Sequence, residues 1–320
     1  MKTKIVYILV STGADVYTEQ AWVSAYSARL RNPSAEMVLL ADSATVVPEP
    51  MAALFNQVSR VEFPSEMPPM KRSRLLKTGM RGIVKGDFLF IDADTIVARP
   101  LDDIDSVDAP LAACRDLHSP FAQHPHRSAT INMCRRLGFD ASGVADYFNS
   151  GVLLVKDTPE NHAFFDAWQK NYLAGYDALI RPDQPSLAQT NASFGGAISL
   201  LPDVWNCEVQ NGVRYLRDAF IVHYMVTNVG SGPQDSLFLM NNREVLLRMR
   251  SAGDITDEIR AVVEDHFRGY APVTQVFAGD DIYLFRTRRY RWLRSRYRQG
   301  KWSLSEFLLK VKDHLFPCRK

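Results

Sequence analysis

The chain has 320 residues, 46% of them apolar and 23% charged, with a formal net charge of +2, which describes an ordinary soluble globular protein large enough for one α/β domain with a smaller appendage, or for two modest domains. No apolar run approaches the roughly 18 residues of a membrane-spanning helix, and the N-terminal run Ile5 to Val10 is too short for a signal-peptide core and has no small-residue cleavage site behind it. The four cysteines, Cys114, Cys134, Cys207 and Cys318, are scattered without CxxC spacing, so neither a structural zinc site nor a disulfide framework is indicated and a reducing cytoplasm fits.

Residues 4–10 read as a buried strand ending in the loop Ser11-Thr12-Gly13-Ala14-Asp15, the position at which many α/β proteins receive a nucleotide. Trp22, Ala25, Tyr26 and Leu30 recur at helical steps over 18–30. A second strand at 37–40 ends at Asp42, a short third runs from Val58 to Phe63, and the Pro-rich stretch 64–69 is a loop. Leu75, Leu76, Met80, Ile83 and Val84 form the apolar stripe of a helix over 71–84. Phe88 to Ile91 then run directly into Asp92-Ala93-Asp94, and a further strand starts near Ala109. Residues 115–147 are polar, with His118, His124 and His126 expected to face solvent or the acceptor side. Val152 to Val155 form another buried strand. Thr158 and Pro159 read as the N-cap and first residue of a helix lined by Phe165, Trp168 and Tyr172, and Asp183-Gln184 opens another. Alternating strands and helices to about residue 230 predict one doubly wound domain. Residues 235–270 look helical, and 273–277 and 282–285 look like a hairpin around Gly279-Asp280-Asp281. A capping box at Ser303 to Glu306 starts an amphipathic helix.

Asp92 and Asp94 lie two apart where an apolar strand ends, with small Ala93 between them. Both carboxylates can reach one hard cation there, and Mg²⁺ or Mn²⁺ prefer such oxygen ligands and leave positions open for substrate phosphates. A turn-capping role is the competing reading of the pair. On the residues alone His223 reads as a satisfied core histidine rather than a ligand, and the competing readings are Asn149 as a strand cap, Asp183 as a helix N-cap, and Arg74 and Lys77 as a solvated helix face. The three cysteines before the tail read as buried fillers.

Five segments in order carry a family resemblance. Phe90 to Val97, around Asp92-Ala93-Asp94, resembles the DxD segment of the retaining glycosyltransferases of family eight, which have the GT-A fold. Tyr147 to Val152 resembles that family's Phe-Asn-(Ser/Ala)-Gly-Val signature, and Asp183-Gln184 its Asp-Gln pair. Leu201-Pro202 with Trp205-Asn206 resembles its Leu-Pro…Asn element, and His223 its late metal-binding histidine. The set spans roughly residues 4–225. It implies an α/β GT-A fold, Rossmann-like with a mostly parallel sheet flanked by helices, followed by a small C-terminal helical and hairpin appendage.

The resemblance also implies roles. Asp92, Asp94 and His223 would bind Mn²⁺ or Mg²⁺. Asn149 would contact the donor sugar or acceptor, Asp183 would hydrogen-bond the sugar hydroxyls, and Gln184 would sit beneath the anomeric carbon. Arg74 or Lys77 would neutralise donor phosphates or sugar. Val10, Ser11 and Tyr17 would surround the base and ribose, and Ala93 would lie in the donor site between the two aspartates. The partners implied are a nucleotide-sugar donor, UDP-hexose favoured, and a glycan or lipid-linked acceptor, as in surface polysaccharide or lipopolysaccharide synthesis with retention of configuration. One departure stands out: the family's histidine is usually followed by a Gly and a Lys, and Tyr224 to Gly230 has no Lys at that spacing, so diphosphate contact must come from elsewhere.

Residues 286–320 hold twelve basic and two acidic groups, against 26 basic and 34 acidic in the rest. Arginines interleaved with Tyr290, Trp292 and Tyr297 suit an anionic membrane surface, which predicts a cytoplasmic protein peripheral on the inner face of the membrane; no nucleic-acid module accompanies the charge. The division expected is a catalytic domain over 1–230, an accessory region over 231–285 and a basic tail over 286–320. Rival readings are a haloacid-dehalogenase-type phosphatase, for which Asp280-Asp281 would be the last acidic motif, and a non-catalytic glycan-binding relative.

Overall fold

The computed structural model describes residues 1–209, 211–225, 242–266, 287–290 and 292. The chain divides into two compact units, Met1–Thr274 and Gln275–Lys320. In the second, the described residues form a short helical turn begun by Thr287, whose hydroxyl accepts the Tyr290 N–H at 3.1 Å. The expected hairpin over 273–285, with Asp280 and Asp281, and the helix from Ser303 lie outside the described residues.

In chain order the first unit contains β1 (Lys4–Leu9), α1 (Tyr17–Arg31), β2 (Met37–Asp42), α2 (Glu49–Ala52), β3 (Gln57–Val61), α3 (Pro69–Ile83), β4 (Phe88–Ile91), β5 (Thr95–Val97), β6 (Leu111–Arg115), α4 (Arg127–Arg136), β7 (Phe148–Val155), α5 (Pro159–Asp177), α6 (Gln184–Ser193), β8 (Ser199–Leu200), β9 (Cys207–Glu208), β10 (Ile221–His223), α7 (Arg243–Ala252) and α8 (Asp257–Glu264). A seven-stranded sheet has the order β3-β2-β1-β4-β7-β6-β8, and a second sheet the order β5-β10-β9. Within the large sheet β7 alone runs against its neighbours. The C-terminal ends of β1, β4 and β6 and the N-terminal start of β7 therefore share one edge. Ligands of open α/β sheets bind along such an edge.

Both faces of the large sheet are covered, so its strands read as continuous apolar runs. Alternate residues divide between two cores. Ile5, Tyr7, Leu39, Leu89, Ile91 and Leu154 pack with α1, α7, α8 and the small sheet. Val6, Ile8, Leu40, Phe88, Phe90 and Leu153 pack against Leu76 and Met80 of α3 and Phe165 and Trp168 of α5. Pro159 begins α5 as expected, with the Thr158 hydroxyl accepting the Asn161 N–H.

Two elements differ from expectation. α4 lies in the segment read only as polar, and buries just Thr130, Ile131 and Cys134. Three contacts in ten residues leave too narrow an apolar stripe for periodicity to find. Among the described residues 242–266, the expected helical region holds two helices because Gly253 adopts φ +67° and closes α7 in the left-handed conformation, and Thr256 then caps α8.

Trp168 is fully buried between α3 and α6, and its indole N–H donates to the Asp183 carbonyl at 3.2 Å. Trp168→Ala is expected to lower stability by about 3–5 kcal/mol, read as the shift of a urea unfolding midpoint at unchanged slope.

Candidate active site

Asp92-Ala93-Asp94 is the hinge between the two sheets, because β4 ends at Ile91 in the large sheet and β5 starts at Thr95 in the small one. Two backbone bonds pin the hinge. The Asp92 N–H donates to the Gly151 carbonyl of β7 at 2.8 Å, and the Tyr224 N–H donates to the Asp94 carbonyl at 2.9 Å. The antiparallel register of β5 with β10 sets His223 opposite Thr95. Ligand atoms of Asp92, Asp94 and His223 thereby converge to within 4.8 Å of one another.

The imidazole tautomer follows from a donor that cannot be reassigned, the backbone N–H of Gly151. It donates to Asn149 Oδ1 at 2.7 Å, so that atom is the amide oxygen. Asn206 Nδ2 donates to the same oxygen at 3.0 Å, which leaves Asn206 Oδ1 to face His223 Nδ1 at 2.9 Å. An oxygen there requires Nδ1–H, and the Nε2 lone pair then points at Asp94 Oδ1, 3.1 Å away. Two acceptors this close repel unless a proton or a metal ion lies between them. Burial alone depresses this imidazole, but the Asp94 carboxylate, by charge and hydrogen bond, and then Asp92 lift it above its ordinary value. Two carboxylates and one oriented imidazole fit a divalent cation such as Mn²⁺ or Mg²⁺. Gly151 is required beneath the ring: a Cβ there would lie 2.5 Å from His223 Cε1.

Lys77 and Arg74 of α3 face the site. Lys77 is buried and holds both Asp92 oxygens at 3.0 Å, with Asp183 Oδ2 at 3.8 Å. Arg74 Nε lies 3.1 Å from Asp183 Oδ1. This replaces the reading of a solvated helix face. Asp183 stands at the N-cap position of α6, yet its carboxylate makes no capping bond. It accepts instead from the Ser150 hydroxyl at 2.8 Å. Burial works against its charge, but Arg74, Lys77 and the Ser150 hydroxyl outweigh burial and hold the carboxyl down to about 2.

Sequence reasoning missed Asp116, which follows β6 on the same edge where Asp92 follows β4. The rule that found Asp92, an apolar strand running into an acid, applied to Leu111 to Asp116 as well. Asp116 Oδ1 accepts from Gln184 Nε2 at 2.7 Å and Asn149 Nδ2 at 2.9 Å, and Oδ2 lies 2.8 Å from His124 Nε2. Burial opposes its ionisation, and those three donors together keep the carboxyl below its ordinary range. His118 and His124, expected in solvent, are buried. His124 is drawn in by Asp116. His118 Nε2 accepts the Glu208 N–H at 2.9 Å, and its Nδ1 lies 3.2 Å from Asp203. His126 is exposed. Leu117 and His118 both adopt φ +52°, a left-handed conformation that costs about 1–2 kcal/mol per non-glycine residue.

The structure thus joins Asn149, Asp183, Gln184, Arg74, Lys77, Asp92, Asp94 and His223 in one network. Val10, Ser11 and Tyr17 stand apart from it at the end of β1, the neighbour of β4. Val10 is buried in the sheet core, the Ser11 hydroxyl donates to Asp15 at 2.6 Å, and the Tyr17 side chain is half exposed. Cys114, Cys134 and Cys207 are buried and free, as expected.

No protein-family model matches the sequence, and no curated protein matches it either. Solved structures do match. The galactosyltransferase LgtC, in complex with donor and acceptor sugar analogs, superposes with TM-score 0.51 at 17% identity over 81% of this chain and 99% of its own. The glycosyltransferase GlyE of Streptococcus pneumoniae gives TM-score 0.51 at 17% identity over 87% of this chain and 67% of its own. The bifunctional glycosyltransferase WbbM gives TM-score 0.50 at 14% identity over 71% of this chain and 46% of its own. The fold expected from the sequence, an α/β GT-A fold with a mostly parallel sheet between helices, is the fold found.

The depressed Asp183 carboxyl has a pH signature. Its stabilisation is complete above the unfolded value near 4 and is lost as pH falls through about 2. The stability of the wild type relative to Asp183→Asn is therefore expected to fall by about 1 kcal/mol between pH 5 and pH 3 in urea titrations. A difference that stays constant over that range would contradict the assigned ion pairs.

Proposed function

We propose that this chain is a metal-dependent glycosyltransferase that moves a hexose from a nucleotide-diphosphate sugar, UDP-hexose favoured, to a glycan or lipid-linked acceptor with retention of configuration. The observation that carries the reading is the oriented triad of Asp92, Asp94 and His223 at the strand edge, with an imidazole lone pair aimed at a carboxylate. A bound Mn²⁺ or Mg²⁺ supplies charge that stabilises a departing diphosphate.

The chain's own groups perform the rest. Arg74 and Lys77 supply positive charge on the side of Asp92 and Asp183, where the absent lysine after His223 leaves a need for it. Asp183, ionised over the working pH range, accepts hydrogen bonds from sugar hydroxyls. Gln184 and Asn149 are held by Asp116 close to the reacting carbon, and their orientation does not need to change during the reaction. Val10, Ser11 and Tyr17 frame the base and ribose, and Ala93 leaves room in the donor site between the metal-binding aspartates. The leaving diphosphate itself assists deprotonation of the acceptor hydroxyl on the same face, which accounts for retention without a protein nucleophile.

The fold it shares with LgtC, which was solved with donor and acceptor sugar analogs, supports a donor and an acceptor site on this edge. Among the described residues no helix is long and apolar enough to cross a membrane. The basic, aromatic composition of 286–320 supports docking on the anionic inner face of the cell membrane, where acceptors for surface polysaccharide or lipopolysaccharide synthesis are built.

Incubation with UDP-, GDP- and CMP-sugars, with and without Mn²⁺, is expected to release one nucleotide in a metal-dependent way. Asp94→Ala should lower that release by about 100-fold or more. Full turnover by Asp94→Ala would remove the site assignment, and phosphate release from simple monoesters would favour a phosphatase.

A further inference from the structure

Glu208 ends β9 in the small sheet, in register with His223 of β10. It is fully buried, and one carboxyl oxygen, Oε1, has no hydrogen-bond partner. Its other oxygen accepts the Leu117 N–H at 2.9 Å. Its backbone N–H in turn donates to His118 Nε2 at 2.9 Å. Glu208 therefore grips both residues of the left-handed pair that follows Asp116. The His118 ring lies on Tyr215 with centroids 4.9 Å apart, and its Nε2 would be 2.3 Å from a Cβ on Gly212. Two adjacent non-glycine residues at positive φ persist only where the surroundings over-determine them, and here a side chain, a backbone amide, a ring and a glycine surface do so.

That strained turn decides where the chain goes after Asp116, whose own N–H is held by the Tyr147 carbonyl at 2.8 Å. With Leu117 and His118 in ordinary backbone conformations, the following chain would leave β6 in another direction, and His124 would not return to the Asp116 carboxylate. We propose that Glu208 is a positioning residue that locks the Leu117–His118 turn and thereby holds His124 against the Asp116 carboxylate that faces Gln184 and Asn149. The inference rests on the glycosyltransferase reading for its effect on turnover, but its structural half is independent of that reading. Burial, followed by the nearby Asp116 charge, raises the Glu208 carboxyl well above its ordinary range.

The test compares Glu208→Leu, which removes the acceptor, with Glu208→Gln, which keeps it, in the full chain. The first readout is ¹⁵N NMR of the imidazole rings. His124 Nδ1 accepts the His126 N–H at 3.1 Å, so its proton resides on Nε2 and is shared with Asp116. That Nε2–H signal is expected in the wild type and in Glu208→Gln, and is expected to shift or vanish in Glu208→Leu. The second readout is kinetic: Glu208→Leu should lower kcat by about tenfold or more, with Mn²⁺ affinity and donor KM within about twofold, and Glu208→Gln should restore most of the loss. Should Glu208→Leu fail to fold, Gly212→Ala displaces His118 at its Nε2 edge and is expected to produce the same NMR and kcat changes. An unchanged His124 signal in Glu208→Leu, or an equal loss in Glu208→Gln, overturns the proposal. A wild type without turnover but with the expected NMR response refutes the transferase reading and leaves the brace standing.

Discussion

A three-residue antiparallel pairing, β5 against β10, is what the rest of the site depends on. β5 begins one residue after Asp94 and β10 ends at His223. Closing that short ladder brings together side chains 129 residues apart in sequence. The ladder is buried on both strands, with Ile96, Val97, Ile221 and Val222 in the main core. The hydrophobic burial that folds the small sheet therefore also assembles the acidic triad. The chain leaves the large sheet at Ile91 and enters the small one at Thr95, and in the intervening turn two carboxylates face a histidine from the opposite strand.

Hydrogen bonds then convert that proximity into chemistry. A single backbone donor, the Gly151 N–H, orients Asn149, which orients Asn206, which sets the tautomer of His223. The other end of Asn149 reaches Asp116, and through it Gln184. The Asp92–Asp94–His223 triad and Gln184 are thus linked to two ends of one polar chain that starts from the backbone of β7. Buried networks of this kind are stable only when every member is satisfied. The Nε2 atom of His223 and the Asp94 carboxylate form a pair whose geometry asks for a cation.

The sequence revealed the parts of this arrangement that are local. Phe88 to Ile91 running into Asp92 marked a buried strand ending at a site, and Thr158 with Pro159 marked a helix start. Asp183 illustrates the limit: its position as a helix N-cap was legible, but only Arg74 and Lys77 arriving from α3 show that its carboxylate is paired with cations and held ionised. Asp116 was passed over although the apolar run Leu111 to Cys114 leads to it after the single polar residue Arg115, and it leaves the sheet at the same edge as Asp92. His118 and His124 looked solvent-facing because their neighbours are polar. Their burial depends on Glu208 and Asp116, partners 90 and 8 residues away, one of which no periodicity could indicate. The α4 helix escaped for a related reason, since its few buried residues pack on Ala188 of α6 and on loop residues such as Phe121 and Tyr147 rather than on the sheet.

The central claim is that Asp92, Asp94 and His223 form one divalent-cation site. The most direct measurement is anomalous diffraction from crystals of the full chain grown with Mn²⁺. The account predicts a single strong peak about 2.1 Å from Asp92, Asp94 and the Nε2 atom of His223, with Lys77 moved away from Asp92. A peak bound to other residues, or none at saturating Mn²⁺, would contradict it.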